Sequence, residues 1–301
     1  MAYGNKLIIL VIFVCFFTAN AIGQSSKTDT RPNILWIYLE DTSPLLGCYG
    51  STLVPTPNID DLAKKGMRFT NAFMPAPVCS ASRSSIITGV MSTTWGLQNH
   101  HSSRTPASAI QLPKGVKTIP ELFVEAGYNT FNNGKDDYNF NYNRKDLYDQ
   151  EYLQHPLYGK RGQHRTSGIK EQTTLFRPNS VGRGKEIFSQ KFTENVLSPV
   201  DRAKIELPPY LPNHPAVIEE YANHLDAIAI TDRKVGEIIK TLKANGLLKN
   251  TIVFFFSDHG MRMTRHKQFL YDGGLHVPLI IADYTKKKLK QVRYKTISLV
   301  D

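Results

Sequence analysis

Cysteine is scarce in this chain: three in 301 residues, at positions 15, 48 and 79. So few exclude a disulfide-stapled scaffold. A packed core must hold the fold, and this length with a 41% hydrophobic content supplies one large α/β domain or two smaller ones. Internal repeats and low-complexity segments are absent, which excludes solenoids and a globally disordered chain. The longest apolar run, residues 7–17, is too short for a comfortable membrane span. Acidic residues are the minority, 26 against 37 basic, for a net charge of +11. A field of that sign attracts polyanions. No nucleic-acid-binding motif accompanies it, so the partner it implies is an anionic polysaccharide rather than nucleic acid.

The chain opens on a leader. Lys6, the apolar residues 7–17 and the Ala19-Asn20-Ala21 cleavage pattern predict a signal peptide over residues 1–21. A polar linker at 22–32 and one α/β domain at 33–301 follow. Export to the periplasm or the medium is expected, with no stable membrane insertion once the leader is removed. Residues 12–14 lack the small side chain that lipidation of Cys15 needs. Cys15 leaves with the leader, so Cys48 and Cys79 remain, and an exported protein can pair them. If Cys79 is engaged in chemistry, Cys48 is instead a lone, buried thiol.

Residues 33–39 (NILWIYL) and 251–256 (TIVFFF) are short apolar runs of strand length, the pattern of strands buried on both faces. The first runs into Glu40-Asp41, the second into Ser257-Asp258-His259-Gly260. Residues 67–73, 128–132 and 275–282 read as further strands. Residues 56–66 read as a helix with Thr56 as cap, Pro57 in the first turn and Gly66 closing it. Residues 118–126 form a second capped helix. The longest helix, 215–245, repeats Val217, Tyr221, Leu225, Ile228, Val235, Ile238 and Leu242 at helical spacing. Residues 139–214, rich in Asn, Tyr, Lys, Arg, Gly and Pro, read as surface loops around a cleft. Strands alternating with helices predict an α/β fold: a large, mostly parallel mixed sheet sandwiched by helices.

Residues 77–89 (PVCSASRSSIITG) carry the most specific chemistry. Cys79 opens a helical pattern, where unpaired backbone N–H groups favour an anion. Arg83, one turn further in, offers a planar guanidinium suited to an oxyanion. Alone, the stretch describes either a reactive residue beside a tetrahedral-anion site or a buried structural cysteine. The strand ends tip the balance. In a parallel sheet, the carboxyl ends of the two buried strands converge on one edge. Glu40, Asp41, Asp258 and His259 gathered there repel one another unless a cation joins them, and so oxygen-rich a set favours Ca²⁺ or Mg²⁺ over zinc.

Taken together, these blocks resemble the type I, formylglycine-dependent sulfatases of the alkaline phosphatase superfamily. The Cys79 stretch matches the signature C-x-P/A-x-R followed by two apolar residues and T-G. Gly127-Tyr128-Asn129-Thr130 with Gly134-Lys135 matches a second, G-Y-x-T…G-K. Ser257-Asp258-His259-Gly260 and Lys267…Tyr271-Asp272-Gly273-Gly274…Val277-Pro278 match later blocks. The resemblance runs from residue 31 to 301 and is thin between 139 and 205. It implies hydrolysis of a sulfate ester on an anionic glycan or small molecule, and conversion of Cys79 to formylglycine by a separate maturation enzyme. Glu40, Asp41, Asp258, His259 and residue 79 would hold Ca²⁺, with Mg²⁺ as the other option. Arg83 would orient the nucleophile, while Lys135 and Lys267 neutralise sulfate charge. Two other readings share the scaffold: a phosphonate or phosphodiester hydrolase, and a non-catalytic sulfated-glycan-binding relic.

The chain departs from the family pattern in places. Glu40 stands where most members have Asp, and Ala81 replaces the commoner Pro. Asp137 occupies a position where many members carry histidine, which leaves the leaving-group acid unassigned. Asp137, His100 and Arg104 are candidates for substrate contact, and His214 for the missing histidine. Family members continue into a helix and a smaller C-terminal subdomain, so the chain reads as truncated after Asp301.

Overall fold

The computed structural model describes residues 31–100, 105–132, 135–148, 174–177, 198–286 and 291–301. The signal peptide and most of the linker expected from sequence lie outside them. Eight strands form one sheet: β1 (Asn33–Leu39), β2 (Met67–Phe73), β3 (Asn129–Asn132), β4 (Thr174–Arg177), β5 (Thr251–Ser257), β6 (His276–Asp283), β7 (Gln291–Arg293) and β8 (Ile297–Ser298). Their order is β3-β4-β1-β5-β6-β2-β7, with β8 beside β2. Only β6 is reversed, antiparallel to β5 and to β2; the other pairings are parallel, as a mostly parallel mixed sheet requires.

The apolar runs are explained by what each face meets. Along β1, Leu35, Ile37 and Leu39 point into one core, which α1 (Pro57–Lys65) and α5 (Pro215–Ala244) complete through Ile59, Leu62, Leu225, Ile228 and Val235. Trp36 and Tyr38 point to the opposite face, against Phe254, Phe256 and Ile86 of α2 (Cys79–Thr88). With period-2 side chains and helices on both faces, every position of the strand after Asn33 is apolar.

Two sequence expectations are corrected, and the open question of the cysteine pairing is answered. Thr56 does not cap α1 with its side chain; its hydroxyl accepts from the Gly47 N–H at 2.8 Å and donates to Asp60 at 2.9 Å. Asp232 on α5 takes over, accepting from the Ile59 N–H at 2.8 Å and the Asn58 N–H at 3.3 Å. Beyond α3 (Ile119–Glu125), residues 139–214 are not loops throughout: they contain β4, a sheet strand between β3 and β1, and the short helix α4 (Arg144–Leu147). Cys48 and Cys79 are both free. Cys48 is half-buried, and burial together with Asp60 pushes its thiol up to about 12. Among the described residues, no helix is long and apolar enough to cross a membrane.

Strand direction puts one end of the sheet in charge. Glu40-Asp41 follow β1, Cys79 follows β2 by six residues, Lys135 follows β3 by three, and Asp258-His259 directly follow β5. β6 begins at that same end, since His276 pairs with Phe73 and Leu279 with Phe256.

Candidate active site

Helix α2 is polar in sequence, CSASRSSIIT, yet residues 79–87 are all buried. Small side chains make this workable because most of their hydroxyls find partners, Ser85 Oγ excepted among the described residues. Ser84 donates to the Ser80 carbonyl at 2.6 Å and accepts from the Asn139 N–H at 2.7 Å, and Ser82 donates to the Asp258 carbonyl. The helix therefore presses its first turn, with Cys79, directly against the end of β5.

Around the Cys79 Sγ stand His259 Nε2 at 3.1 Å, Lys267 Nζ at 3.3 Å and Glu40 Oε1 at 3.8 Å. Lys267 reaches Asp41 Oδ1 at 2.7 Å, and Lys135 reaches Glu40 Oε1 at 2.6 Å and Asp137 Oδ2 at 2.9 Å. His259 Nδ1 lies 2.8 Å from the Gly260 carbonyl, so it donates there and turns Nε2 to the cluster, 3.2 Å from Asp41 Oδ1. Arg83 is fully buried. Its Nε and Nη2 both lie 3.0 Å from Asp258 Oδ2, its Nη1 donates to the Lys135 carbonyl at 2.9 Å, and its guanidinium covers the Tyr38 ring at 4.5 Å.

The charges shape one another. Burial works against ionised Asp258, but His259 and Arg83 outweigh it and hold the carboxyl near 2. Burial likewise disfavours charged His259; Asp258, Cys79 and Asp41 outweigh that and raise the imidazole to about 9. For Cys79, burial and Asp258 push upward, yet hydrogen bonds to His100 and His259 bring the thiol down to about 7. Lys135 and Lys267 are both raised: burial opposes their charge, and the neighbouring Cys79, Glu40 and Asp41 overcome it.

Metal-ligating atoms converge in three overlapping sets, Asp41–Cys79–His259, Glu40–Cys79–Asp258 and Cys79–His100–Asp137, each within 4.8 Å. Three carboxylates and an outward-facing imidazole nitrogen, nearly all buried, fit a hard cation with oxygen-rich coordination. Backbone strain collects here too. The four non-glycine residues with left-handed φ among those described are Asp41 (55°), Asp137 (55°), Arg265 (65°) and Gln268 (72°); the last pair flanks Lys267.

A family profile described as Sulfatase matches residues 32–301. The chain belongs to the sulfatase family. Among curated members, it is 30% identical to an "Ulvan-active sulfatase" of Formosa agariphila over 91% of this chain and 51% of that one. It is 26% identical to the "N-sulphoglucosamine sulphohydrolase" of Homo sapiens, over 90% and 59%. The chain thus spans about half the length of the curated sulfatases it matches. Among solved structures, the phosphonate monoester hydrolase of Agrobacterium radiobacter superposes with a TM-score of 0.65 at 19% identity, over 90% of this chain and 72% of that one, which shows a shared fold.

Of the residues singled out from sequence, Glu40, Asp41, Cys79, Arg83, Lys135, Asp137, Asp258, His259 and Lys267 meet in this one cluster. His100 joins them through its hydrogen bond with Cys79, which, with Asp137, raises its imidazole above the ordinary range despite partial burial. His214 does not. It is exposed and caps α5, accepting from the Ala216 N–H at 3.2 Å, so its ring is committed to a helix end. Arg104 lies outside the described residues. Sequence reading missed His266 and Tyr210, which lock the segment carrying Lys267. Tyr210 OH lies 2.8 Å from His266 Nε2, and the other ring nitrogen lies 2.9 Å from the Gly273 carbonyl. No local pattern marks either residue, because their pairing spans 56 positions.

Proposed function

We propose that the chain is the catalytic domain of an exported sulfatase that removes sulfate from an anionic glycan. The observation that carries the reading is the convergence of Cys79, three carboxylates, His259 and two ammonium groups at one sheet end. Net charge of +11 and the glycan-directed names among the relatives support the substrate class.

The cation, Ca²⁺ by the donor set, would be held by Glu40, Asp41, Asp258 and His259 with residue 79, and would supply Lewis-acid polarisation of the sulfate. Oxidised to formylglycine by a separate maturation enzyme with an external oxidant, and then hydrated, residue 79 would supply one hydroxyl oxygen to attack sulfur and a second whose proton loss expels sulfate and re-forms the aldehyde. The protein's own groups do the rest. Lys135 and Lys267 bind the sulfate oxygens and neutralise charge as it shifts towards the leaving oxygen. Arg83 fixes the Asp258 carboxylate and the backbone at Lys135, so two arms of the site share one anchor. His100 and Asp137, clustered beside Cys79, would meet the leaving alcohol.

Mass spectrometry of the Cys79 peptide, from a host with the maturation machinery, is the direct test. Loss of sulfur with gain of an aldehyde is expected, together with sulfate release from an aryl sulfate. An intact thiol with no sulfate release would defeat the reading, leaving binding of sulfated glycan without turnover as the relic's signature. Faster turnover of an aryl phosphonate than of an aryl sulfate would instead favour the phosphonate hydrolase, whose fold is shared.

A further inference from the structure

We infer that Arg265, with Tyr210 and Tyr271, forms a second recognition subsite on the rim of the reacting centre. It takes the sugar next to the one being desulfated and binds an anionic group on that sugar. This rests on the sulfatase reading for its place in the reaction, though not for the binding it predicts.

The rim is built with care. Lys267, whose ammonium lies 3.3 Å from Cys79 Sγ, sits between two left-handed residues, Arg265 and Gln268. Such backbone is unfavourable for residues with a Cβ and persists where the surroundings dictate it. Here they do. The Lys267 N–H donates to the Met261 carbonyl at 3.1 Å and the Gln268 N–H to the Pro77 carbonyl at 2.7 Å. Buried His266 bridges Tyr210 and Gly273. The segment is thus tied both to the loop preceding Cys79 and to Tyr210.

What this frame displays is unusual for a surface. The Arg265 guanidinium stands 5.7 Å from the Tyr210 ring and 5.7 Å from the Tyr271 ring, and Phe269 stacks on Tyr271 at 6.4 Å and 23°. Tyr210 is 41% exposed and Tyr271 56%. Arg265 is exposed, and no carboxylate among the described residues pairs with it. An aromatic face held to solvent offers a flat apolar surface for the C–H face of a pyranose. A guanidinium steadied by two rings but left without a counter-charge offers a fork for a sulfate or a carboxylate. One residue, His266, lies between Arg265 and Lys267, so their backbones stand at most roughly 7 Å apart. That is the scale of one sugar unit, so the occupant is the adjoining sugar of the same chain.

The test compares Arg265→Ala and Tyr271→Ala with the parent protein, matured at Cys79, on three substrates. These are a small aryl sulfate, an oligosaccharide with a second sulfate on the neighbouring sugar, and one with a carboxylate there. The expected result is that kcat/KM for at least one oligosaccharide falls about tenfold more than kcat/KM for the aryl sulfate, mainly through KM. Which oligosaccharide responds identifies the anion. A parallel measurement, calorimetric binding of the same oligosaccharides to Cys79→Ala with and without Arg265→Ala, needs no turnover. An approximately tenfold weaker Kd there upholds the subsite even if no sulfate is ever released. Equal losses on aryl sulfate and oligosaccharide, unchanged binding, or no oligosaccharide binding by Cys79→Ala would each overturn it.

Discussion

Arg83 and Asp258 form a buried ion pair in which Nε and Nη2 both lie 3.0 Å from one oxygen, Oδ2, with side chains 1% and 0% exposed. The other oxygen, Oδ1, accepts from the Asp41 N–H at 3.0 Å, so one carboxylate ties α2 to both β1 and β5.

Removing one partner of such a pair leaves an uncompensated buried charge. Arg83→Met is expected to cost about 3–5 kcal/mol of stability, read as a lowered urea midpoint. Arg83→Lys recovers only part of it, because an ammonium cannot bond Asp258 and the Lys135 carbonyl together. A midpoint unchanged in Arg83→Met would show that the pair contributes nothing.

Lys135 and Lys267 contact carboxylates at the cleft but are 33% and 20% exposed, so truncating them spares the core. Lys267→Ala and Lys135→Ala should each lower kcat for sulfate release by about a hundredfold or more, with thermal midpoints within a few degrees of the parent. Retained kcat in either variant would remove that lysine from the sulfate's surroundings.

How far the site could be read in advance depended on sequence distance. Glu40-Asp41 and Asp258-His259 were legible because each follows an apolar run that can only be a buried strand. β4 was not, because four residues inside a polar tract carry no period to detect. The role of Asp232 at the start of α1 was hidden for another reason: its partners lie 173 and 174 positions away. His214 misled because a histidine before a proline reads the same whether it faces a substrate or caps a helix.

Calcium should stabilise the protein. On the proposed reading, adding Ca²⁺ to chelator-treated protein is expected to raise the thermal midpoint by several degrees, because the ion would join Glu40, Asp41 and Asp258. Asp41→Asn or Asp258→Asn should abolish the increment. An identical increment in both variants would place the ion elsewhere.

His224, on α5, is buried with its Nε2 unpartnered among the described residues. Burial holds its imidazole near 4, with Asp41 opposing and His266 adding to the effect. Unfolded histidine titrates near 6.5, so the fold keeps it neutral where the open chain would bind a proton. That stability is fully present above about pH 6.5 and is lost as pH falls towards 4, by about 2–3 kcal/mol. Urea midpoints measured from pH 7 to 4 should show the decline in the parent and a shallower one in His224→Gln. Equal slopes would refute it.

Gly260 allows no side chain: a Cβ there would lie 1.7 Å from the Gly273 carbonyl oxygen. Gly260→Ala should therefore push the segment of residues 261–275 outward, costing about 3 kcal/mol and displacing Lys267. The expected signature is a lowered thermal midpoint together with lost sulfate release. A variant with parental stability and rate would mean that the turn tolerates the shift.

The reversal of β6 governs how this chain can change. A parallel neighbour to β5 would oblige the chain to cross back over the sheet before starting again. Because β6 instead starts where β5 stops, residues 258–275 leave and rejoin the sheet at the same end, and none of them is needed to build the far side. Exchanges at the exposed positions of that excursion, Phe269, Leu270 and Tyr271, can remodel the rim without rethreading a strand or opening the core. A reshaped rim is thus within reach of local sequence change, while the strand ends that bear the carboxylates stay fixed.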